Sequence, residues 1–458
     1  MKLFLDIVEW FERRTGIVQG TKNLLNEQIP ASVGWRNTLG SLAGALLLVQ
    51  ILTGFLLALY YVPHPDAAFD SLEWVAENVT LGALTRALHY WGTSFIIVAL
   101  FVHMVRVFFS GAYKKPREVN WLVGLALFAV VLALAFTGQL LPFNQVGYWA
   151  AKVGIEMGSS APFVGAGIRR LFTGGDTVGA LTLTRFYALH MVFLPGLLGL
   201  LVILHLALLR RHGPVRPADD SEQRTEPFFP LQFARDMVMI SIGLAALCAV
   251  ALIFKGPHSP RLDLSDTSYL PRPEWYFLSH FEILKWTEGE AQKIVAAFIL
   301  PNMLFLALAA LPWLDRGASV ALRERRGVVI TGLFVIASIV GLTAFGLVTA
   351  PEQAGETGAV AIEEEAGDDP LRALLASGRR VYRELDCPKC HRINGRGNTV
   401  GPDLSGVGLR LQEDYLRKWL SNPQAFVHDV VMPPVKTSDE KFEALVFYLM
   451  SLEVQPEP

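Results

Sequence analysis

Apolar residues along this chain gather into seven long, mostly apolar runs, at about 33–61, 83–110, 120–140, 182–211, 232–255, 291–313 and 327–349. Each reaches the roughly 20 residues a helix needs to cross a bilayer. In lipid such a segment satisfies its own backbone only as a helix. The opening stretch, MKLFLDIVEWFERRTG, has a different pattern. Its apolar residues recur at helical spacing between acids and bases, which predicts an amphipathic helix lying on a membrane surface. Those acids, and the lack of a small-residue cleavage site, exclude a cleavable signal. Residues 351–370 are Gly/Ala/Glu-rich with no apolar face and predict a linker, followed by a small domain at 371–458. Composition agrees. The chain is 52% hydrophobic and only 18% charged, against about 25% charged for a typical soluble protein. The expected fold class is all-α: a seven-span transmembrane helical bundle followed by a small α-helical domain.

Charge orients the bundle. Basic residues cluster at Arg13–Arg14, Lys114–Lys115–Arg117, Arg210–Arg211–Arg216 and Arg316–Arg323–Arg325–Arg326. With seven spans all four clusters fall on one side, which the positive-inside rule assigns to the cytoplasm. The expected location is a bacterial inner membrane, with the N-terminus inside and everything after residue 350 in the periplasm or outside the cell. Residues 351–458 carry a net charge of −6 and the remaining 350 residues +4. An acidic outer domain can steer a basic partner, although solubility accounts for the acidity equally well. Nucleic acid is not an expected partner.

The second run carries His89 and His103, fourteen residues apart, and the fourth His190 and His205, fifteen apart. At 1.5 Å and about 100° per residue, each pair falls near one helix face, roughly 21–23 Å apart along the axis. His89 and His190 belong near the outer surface, His103 and His205 near the inner. Two facing helices then offer two bis-imidazole sites stacked across the membrane, which suits two haems. Single buried histidines serve mostly as packing; four at matched depths do not read that way. Gly40 and Gly54 on the first run, and Gly124 and Gly138 on the third, repeat the fourteen-residue spacing, as expected where flat macrocycles approach those helices. Close helix packing also uses glycine. Arg86 and Arg185 outside, and Arg106 inside, sit where haem propionates need neutralising, or where arginines snorkel to the interface.

Residues 1 to about 350 resemble the cytochrome b of quinol-oxidising bc complexes, through WRNTLGSLAG and QILTG on the first run, TRALHYWGTSFIIVALFVHMVR on the second and TLTRFYALH on the fourth. The fifteen-residue histidine gap and the seven spans are similar to the chloroplast type, in which the membrane part is two polypeptides; here they are joined near residues 213–230. The resemblance implies a four-helix di-haem domain at 33–215 after an amphipathic segment at 1–32, and a three-helix domain at 216–350. It also implies that Pro273-Glu274-Trp275-Tyr276 is the quinol-oxidation motif on the outer side. Quinol must lose two protons, and an acid in a largely apolar pocket suits one of them, so Glu274 and Tyr276 are candidate catalytic residues. LPFNQVGYWAAKV resembles the opposite wall of that pocket, with Pro142, Phe143 and Trp149 lining it. On the inner side Arg210 and Asp236, the latter in FARDMV, are candidates for a quinone-reduction site; solvated helix ends are the plainer reading. Chloroplast-type relatives attach an extra haem through a cysteine on the first span, where this chain has Thr38.

Cys387-Pro-Lys-Cys390-His391 carries the Cys-x-x-Cys-His pattern of covalent haem attachment. Two thiols add to the vinyl groups and His391 becomes an axial ligand. A bare Cys-x-x-Cys also suits zinc or a redox dithiol, but the adjacent histidine and the absence of a second cysteine pair favour haem. Met432 offers the sixth ligand, with His428 a weaker candidate. GPDLSGVG (401–408) resembles the connecting loop of class I cytochromes c. The third cysteine, Cys248, lies within an apolar run and reads as an inert core thiol.

These resemblances imply two non-covalent b-type haems, one covalent c-type haem and a quinol/quinone substrate. They imply a quinol–cytochrome c reductase subunit in a homodimeric complex with a Rieske iron–sulfur protein, for which this chain holds no ligand set. An additional c-type cytochrome is a further candidate partner. Two other classes remain open: a di-haem anchor for a peripheral dehydrogenase or reductase, against which Glu274 speaks, and a haem-bearing transporter, for which no broken-helix repeat is seen.

Overall fold

Among the described residues of this computed structural model, seven helices are long and apolar enough to cross a membrane: Trp35–Ala58, Gly82–Phe109, Glu118–Leu140, Ala180–His212, Leu231–Phe254, Gln292–Leu314 and Leu322–Val348. They coincide with the seven apolar runs to within a few residues. The structure describes residues 2–175, 177–216, 224–256, 259–263, 272–287, 290–349, 370–393, 396–398, 400–426, 430 and 432–452. The linker proposed at 351–370 therefore lies outside the described residues apart from Pro370. The chain divides into two compact units, one of residues 1–261 and 272–348, the other of 262–271 and 349–458.

In the first unit the first span packs on the second and the third on the fourth; the fifth lies against both the first and the second. Their shared core is aliphatic, with Leu46, Ile96, Ile97, Val130, Val131, Leu198 and Leu247 buried together. The opposite faces are equally apolar and stay exposed, as with Leu48, Ile51, Leu52 and Phe55. That is the pattern expected where the surrounding solvent is hydrocarbon. The N-terminal segment forms two helices, Lys2–Thr15 and Ile17–Leu25, separated by Gly16 in the left-handed region. Strand Gln28–Pro30 then pairs antiparallel with Thr225–Pro227, tying the entry of the first span to the entry of the fifth.

The fourth span is not a uniform α-helix. Leu189–Phe193 forms a π turn, with the Leu194 N–H bonded to the Leu189 carbonyl, and Pro195 follows at once. A π turn takes up one extra residue without advancing the helix by a full step. The fifteen-residue gap between His190 and His205 thus spans what fourteen span between His89 and His103.

Basic residues at the end proposed to be cytoplasmic are not all solvated. The Asp315 carboxylate accepts from Tyr113 Oη (2.5 Å), Lys114 Nζ (2.9 Å) and Arg325 Nε (2.7 Å). The side chains of Lys114, Arg325 and Asp315 are only 9%, 2% and 7% exposed. Lys114 also bonds the Gly317 and Ser319 carbonyls. This cluster fastens the loop after the second span to the connection between the sixth and seventh.

The second unit is a small helical domain. Helices Pro370–Glu384 and Asp439–Met450 cross, with Glu413–Ser421 beside them. Val381, Tyr382, Val407, Leu416, Leu420, Leu445 and Leu449 form its core. Apart from two short two-stranded pairs, the described secondary structure is helical.

Candidate functional site

The four histidines meet in pairs. The ring centroids of His89 and His190 are 6.2 Å apart, with planes at 76°. Two metal–imidazole bonds of about 2 Å each, together with the ring radii, nearly fill that separation. Their tautomers are set by the neighbouring helices. Thr53 spends its hydroxyl proton on the Val49 carbonyl (2.7 Å), so its oxygen accepts from His89 Nδ1 (3.0 Å). His190 Nδ1 donates to the Leu134 carbonyl (3.0 Å) and lies 3.2 Å from Thr137 Oγ1, itself bonded to Ala133. With Nδ1 protonated on both rings, the Nε2 lone pairs are left for a metal. On the inner side His103 lies within electrostatic range of His205 and Arg106.

Each of the four glycines faces one histidine. A Cβ on Gly54 would lie 3.0 Å from His89 Cε1, and one on Gly138 2.7 Å from His190 Cε1. On Gly40 and Gly124 it would meet His103 and His205 at 3.6 Å. The residues therefore fit a flat, bis-imidazole-ligated group. Thr53 and Thr137 escaped the sequence reading, although the Thr-Gly pair recurs on the first and third spans. The three arginines already hold protein partners: Arg86 pairs with Glu73 (2.7 Å), Arg106 with Asn37 (2.7 Å), and Arg185 with the Arg170 and Leu171 carbonyls.

A cavity of about 440 Å³ opens beside the outer pair, and its wall includes His89, His190, Gly54, Gly138, Glu274 and Tyr276. Glu274 caps a short turn, Trp275–Phe277, which Trp275 anchors through its indole N–H to Ser94 Oγ (3.0 Å). The Tyr90 hydroxyl donates to the Glu274 carboxylate, at 3.1 and 3.3 Å from its two oxygens. Burial pushes the Glu274 carboxyl above its ordinary range, opposed by that hydrogen bond and the nearby Gln139 amide. The opposite wall is helix Gln145–Ser159, whose N-cap Asn144 accepts from the Gly147 N–H. Pro142 reaches the cavity; Phe143 and Trp149 are buried in the packing behind it.

At the inner end Asp236 is buried and accepts from Gln232 Nε2 (3.0 Å), with Ser41 as a second partner. Gln232 Oε1 is buried without a hydrogen bond. Arg210 is exposed, and the structure does not bring it to Asp236. Ser41 and Gln232 are the polar neighbours that the sequence reading missed.

In the second unit, Cys387–Lys389 form one tight turn and His391 is buried beside it. His391 Nδ1 lies 2.8 Å from the Pro402 carbonyl, which leaves Nε2 free. A Cβ on Gly401 would lie 2.5 Å from His391 Cε1, so a flat group also fits here. Burial pushes the Cys387 thiol up to about 11 and raises Cys390 as well. A redox dithiol needs the opposite shift. No cluster of three or more His, Cys, Asp or Glu side chains converges among the described residues. Met432 packs into the domain core; His428 lies outside the described residues.

Comparison with known proteins places these units. Residues 24–213 match the family described as cytochrome b/b6/petB, residues 266–362 cytochrome b(C-terminal)/b6/petD, and residues 375–453 cytochrome c. Cytochrome b of Rickettsia prowazekii is 36% identical over 320 residues, covering 68% of this chain and 78% of that protein. The menaquinol:cytochrome c reductase cytochrome b subunit of Bacillus subtilis is 38% identical over 215 residues, 45% of this chain and 96% of that protein. A solved hyperthermophilic respiratory Complex III chain superposes with a TM-score of 0.64 at 26% identity, covering 76% of this chain and 92% of that one.

Proposed function

This chain belongs to the cytochrome b family and carries a cytochrome c domain, and from that premise we propose that it is the electron-transfer subunit of a quinol–cytochrome c reductase that oxidises quinol at Glu274. It is an integral membrane protein that binds haem. The reading rests chiefly on one observation: Glu274 and the paired imidazoles of His89 and His190 share a single cavity.

The proposed cofactors are two b-type haems, held by His89/His190 and His103/His205, and one c-type haem on Cys387 and Cys390 with His391 and Met432 as ligands. Bound there, they supply one-electron carriage. Quinol gives up two protons and two electrons as it becomes quinone. Glu274, above its ordinary pKa but still able to ionise, accepts one proton inside the cavity. Tyr276 closes the wall beside it, and Trp275 fixes the turn that carries both. One electron leaves for a Rieske iron–sulfur partner and the other crosses towards an inner quinone site near Asp236, where Ser41 and Gln232 orient the acid. The basic loops support an inner-membrane orientation with the N-terminus inside and residues 371–458 outside. The two separate cytochrome b family matches, at residues 24–213 and 266–362, support a four-helix domain at 33–215 and a three-helix domain at 216–350. A homodimer, and a further c-type cytochrome, complete the proposed assembly.

The test is quinol oxidation by the purified native complex. Glu274→Gln keeps the shape and loses the base; it slows turnover while both b-haem spectra persist. Unchanged turnover across the pH range would sink the assignment.

A further inference from the structure

Glu274 sits on a connection between two spans, and the group that holds it comes from elsewhere. Tyr90 lies on the second span, one residue after His89, and its hydroxyl reaches both oxygens of the Glu274 carboxylate. Both residues line the same cavity. A carboxylate in that setting has two requirements. It must be ionised to take a proton, yet burial opposes ionisation. It must also present a lone pair to the cavity, yet an unrestrained glutamate explores several rotamers. One fixed donor beside it meets both. A phenol suits the task, because its hydroxyl donates without adding a charge to an apolar site.

We propose that Tyr90 is the positioning residue for the proton-accepting carboxylate, holding Glu274 against the cavity through its hydroxyl. The inference deepens the quinol-oxidation reading and rests on it. The surroundings leave Tyr90 as the main donor. Neither polar atom of the Gln139 side chain makes a hydrogen bond of good geometry. Among the described residues Arg86 is the one cationic side chain in the cavity wall, and it is already paired with Glu73. The remaining titratable groups there are the two histidines and Tyr61, Tyr187 and Tyr276. Tyr90 is also the largest single influence pulling the Glu274 carboxyl back down against burial.

The sign of the effect follows. Glu274 works as the carboxylate, so turnover falls as pH drops through its pKa. Removing a donor to the carboxylate raises that pKa and moves the acid limb to higher pH.

The experiment compares the native complex with Glu274→Gln, Tyr90→Phe and the double variant, in quinol turnover from acid to alkaline pH, with b-haem spectra as the folding control. Tyr90→Phe is expected to move the acid limb upward by about one pH unit, the scale on which one hydrogen bond to a charged group shifts a carboxyl. Turnover returns towards wild type at high pH. The double variant is no slower than Glu274→Gln alone. Tyr90→Gln, which keeps a donor, gives an intermediate limb and serves if the phenylalanine variant does not assemble. An unmoved acid limb, an equal loss at every pH, or multiplying losses in the double variant would overturn the inference while leaving the quinol reading intact. Unchanged turnover in Glu274→Gln would instead remove that reading, and the inference with it.

Discussion

The indole N–H of Trp419 donates a hydrogen bond to the thioether sulfur of Met432, at 3.2 Å. Trp419 is held for this by its neighbours, stacking on Tyr415 at 6.2 Å and packing against Phe426 at 5.8 Å. A thioether sulfur has lone pairs for both a donor and a metal. Donation to the sulfur withdraws electron density from it and favours the reduced form of the iron that Met432 is proposed to ligate. Trp419→Phe is therefore expected to lower the c-haem midpoint potential while leaving covalent attachment unchanged. A redox titration of the purified protein reads the shift; an unchanged or raised potential would count against this role.

Gly138 is the tightest of the four glycine positions, with a Cβ placed 2.7 Å from the His190 ring. Even alanine there forces the imidazole out of line with His89. Gly138→Ala is expected to remove or strongly perturb the outer b-haem signal and spare the inner one, since Gly124 and His205 are untouched. Reduced-minus-oxidised spectra with a haem assay distinguish this from a general loss. Equal damage to both b signals would mean that the variant disturbs folding and not the site.

Much of this arrangement was readable in the sequence because it is periodic. Histidines and glycines repeated at fourteen residues survive in the structure as four facing pairs, since a helix converts sequence spacing directly into depth and face. Even the odd fifteenth residue has a physical account in the π turn at Leu189–Phe193. What sequence did not reveal depends on contacts between distant segments. Tyr90 and Glu274 are 184 positions apart, and Lys114 and Asp315 are 201. No local pattern marks such partners. In sequence Lys114 and Arg325 count only as members of basic clusters, because a charge in a loop looks the same whether or not a carboxylate is buried beside it.

The Asp315 cluster gives a stability prediction. Burial alone would push the Asp315 carboxyl up, but hydrogen bonds from Tyr113, Lys114 and Arg325 outweigh it and hold it below its ordinary range. The stabilisation is complete above the unfolded pKa and is lost only as pH falls through the depressed folded value, so it is fully present at neutral pH. Asp315→Ala leaves the buried cations of Lys114 and Arg325 without their counter-charge. Breaking one side of a buried pair typically costs about 3–5 kcal/mol. Thermal unfolding of the detergent-solubilised protein should show a clear loss, whereas Arg316→Ala, at an exposed neighbour, should change little.

Thr38 decides how many haems are covalently held. It is fully buried at the start of the first span, with its hydroxyl on the Trp35 carbonyl at 2.8 Å. A hydroxyl cannot form the thioether that a cysteine at this place would make. The one cysteine of the membrane unit, Cys248, is exposed and not a core thiol, and it lies about 18 Å along the fifth span from Asp236. On the haem sites proposed above, covalent attachment is confined to Cys387 and Cys390, in the domain proposed to lie outside the membrane. Haem determination on the purified chain is expected to give two extractable b-type haems for each covalent one. Peptide mapping should place the covalent haem within residues 371–458. A covalent haem on any membrane-unit peptide would show that the inner site is built differently, and a ratio far from two to one would remove one of the two histidine pairs from haem binding.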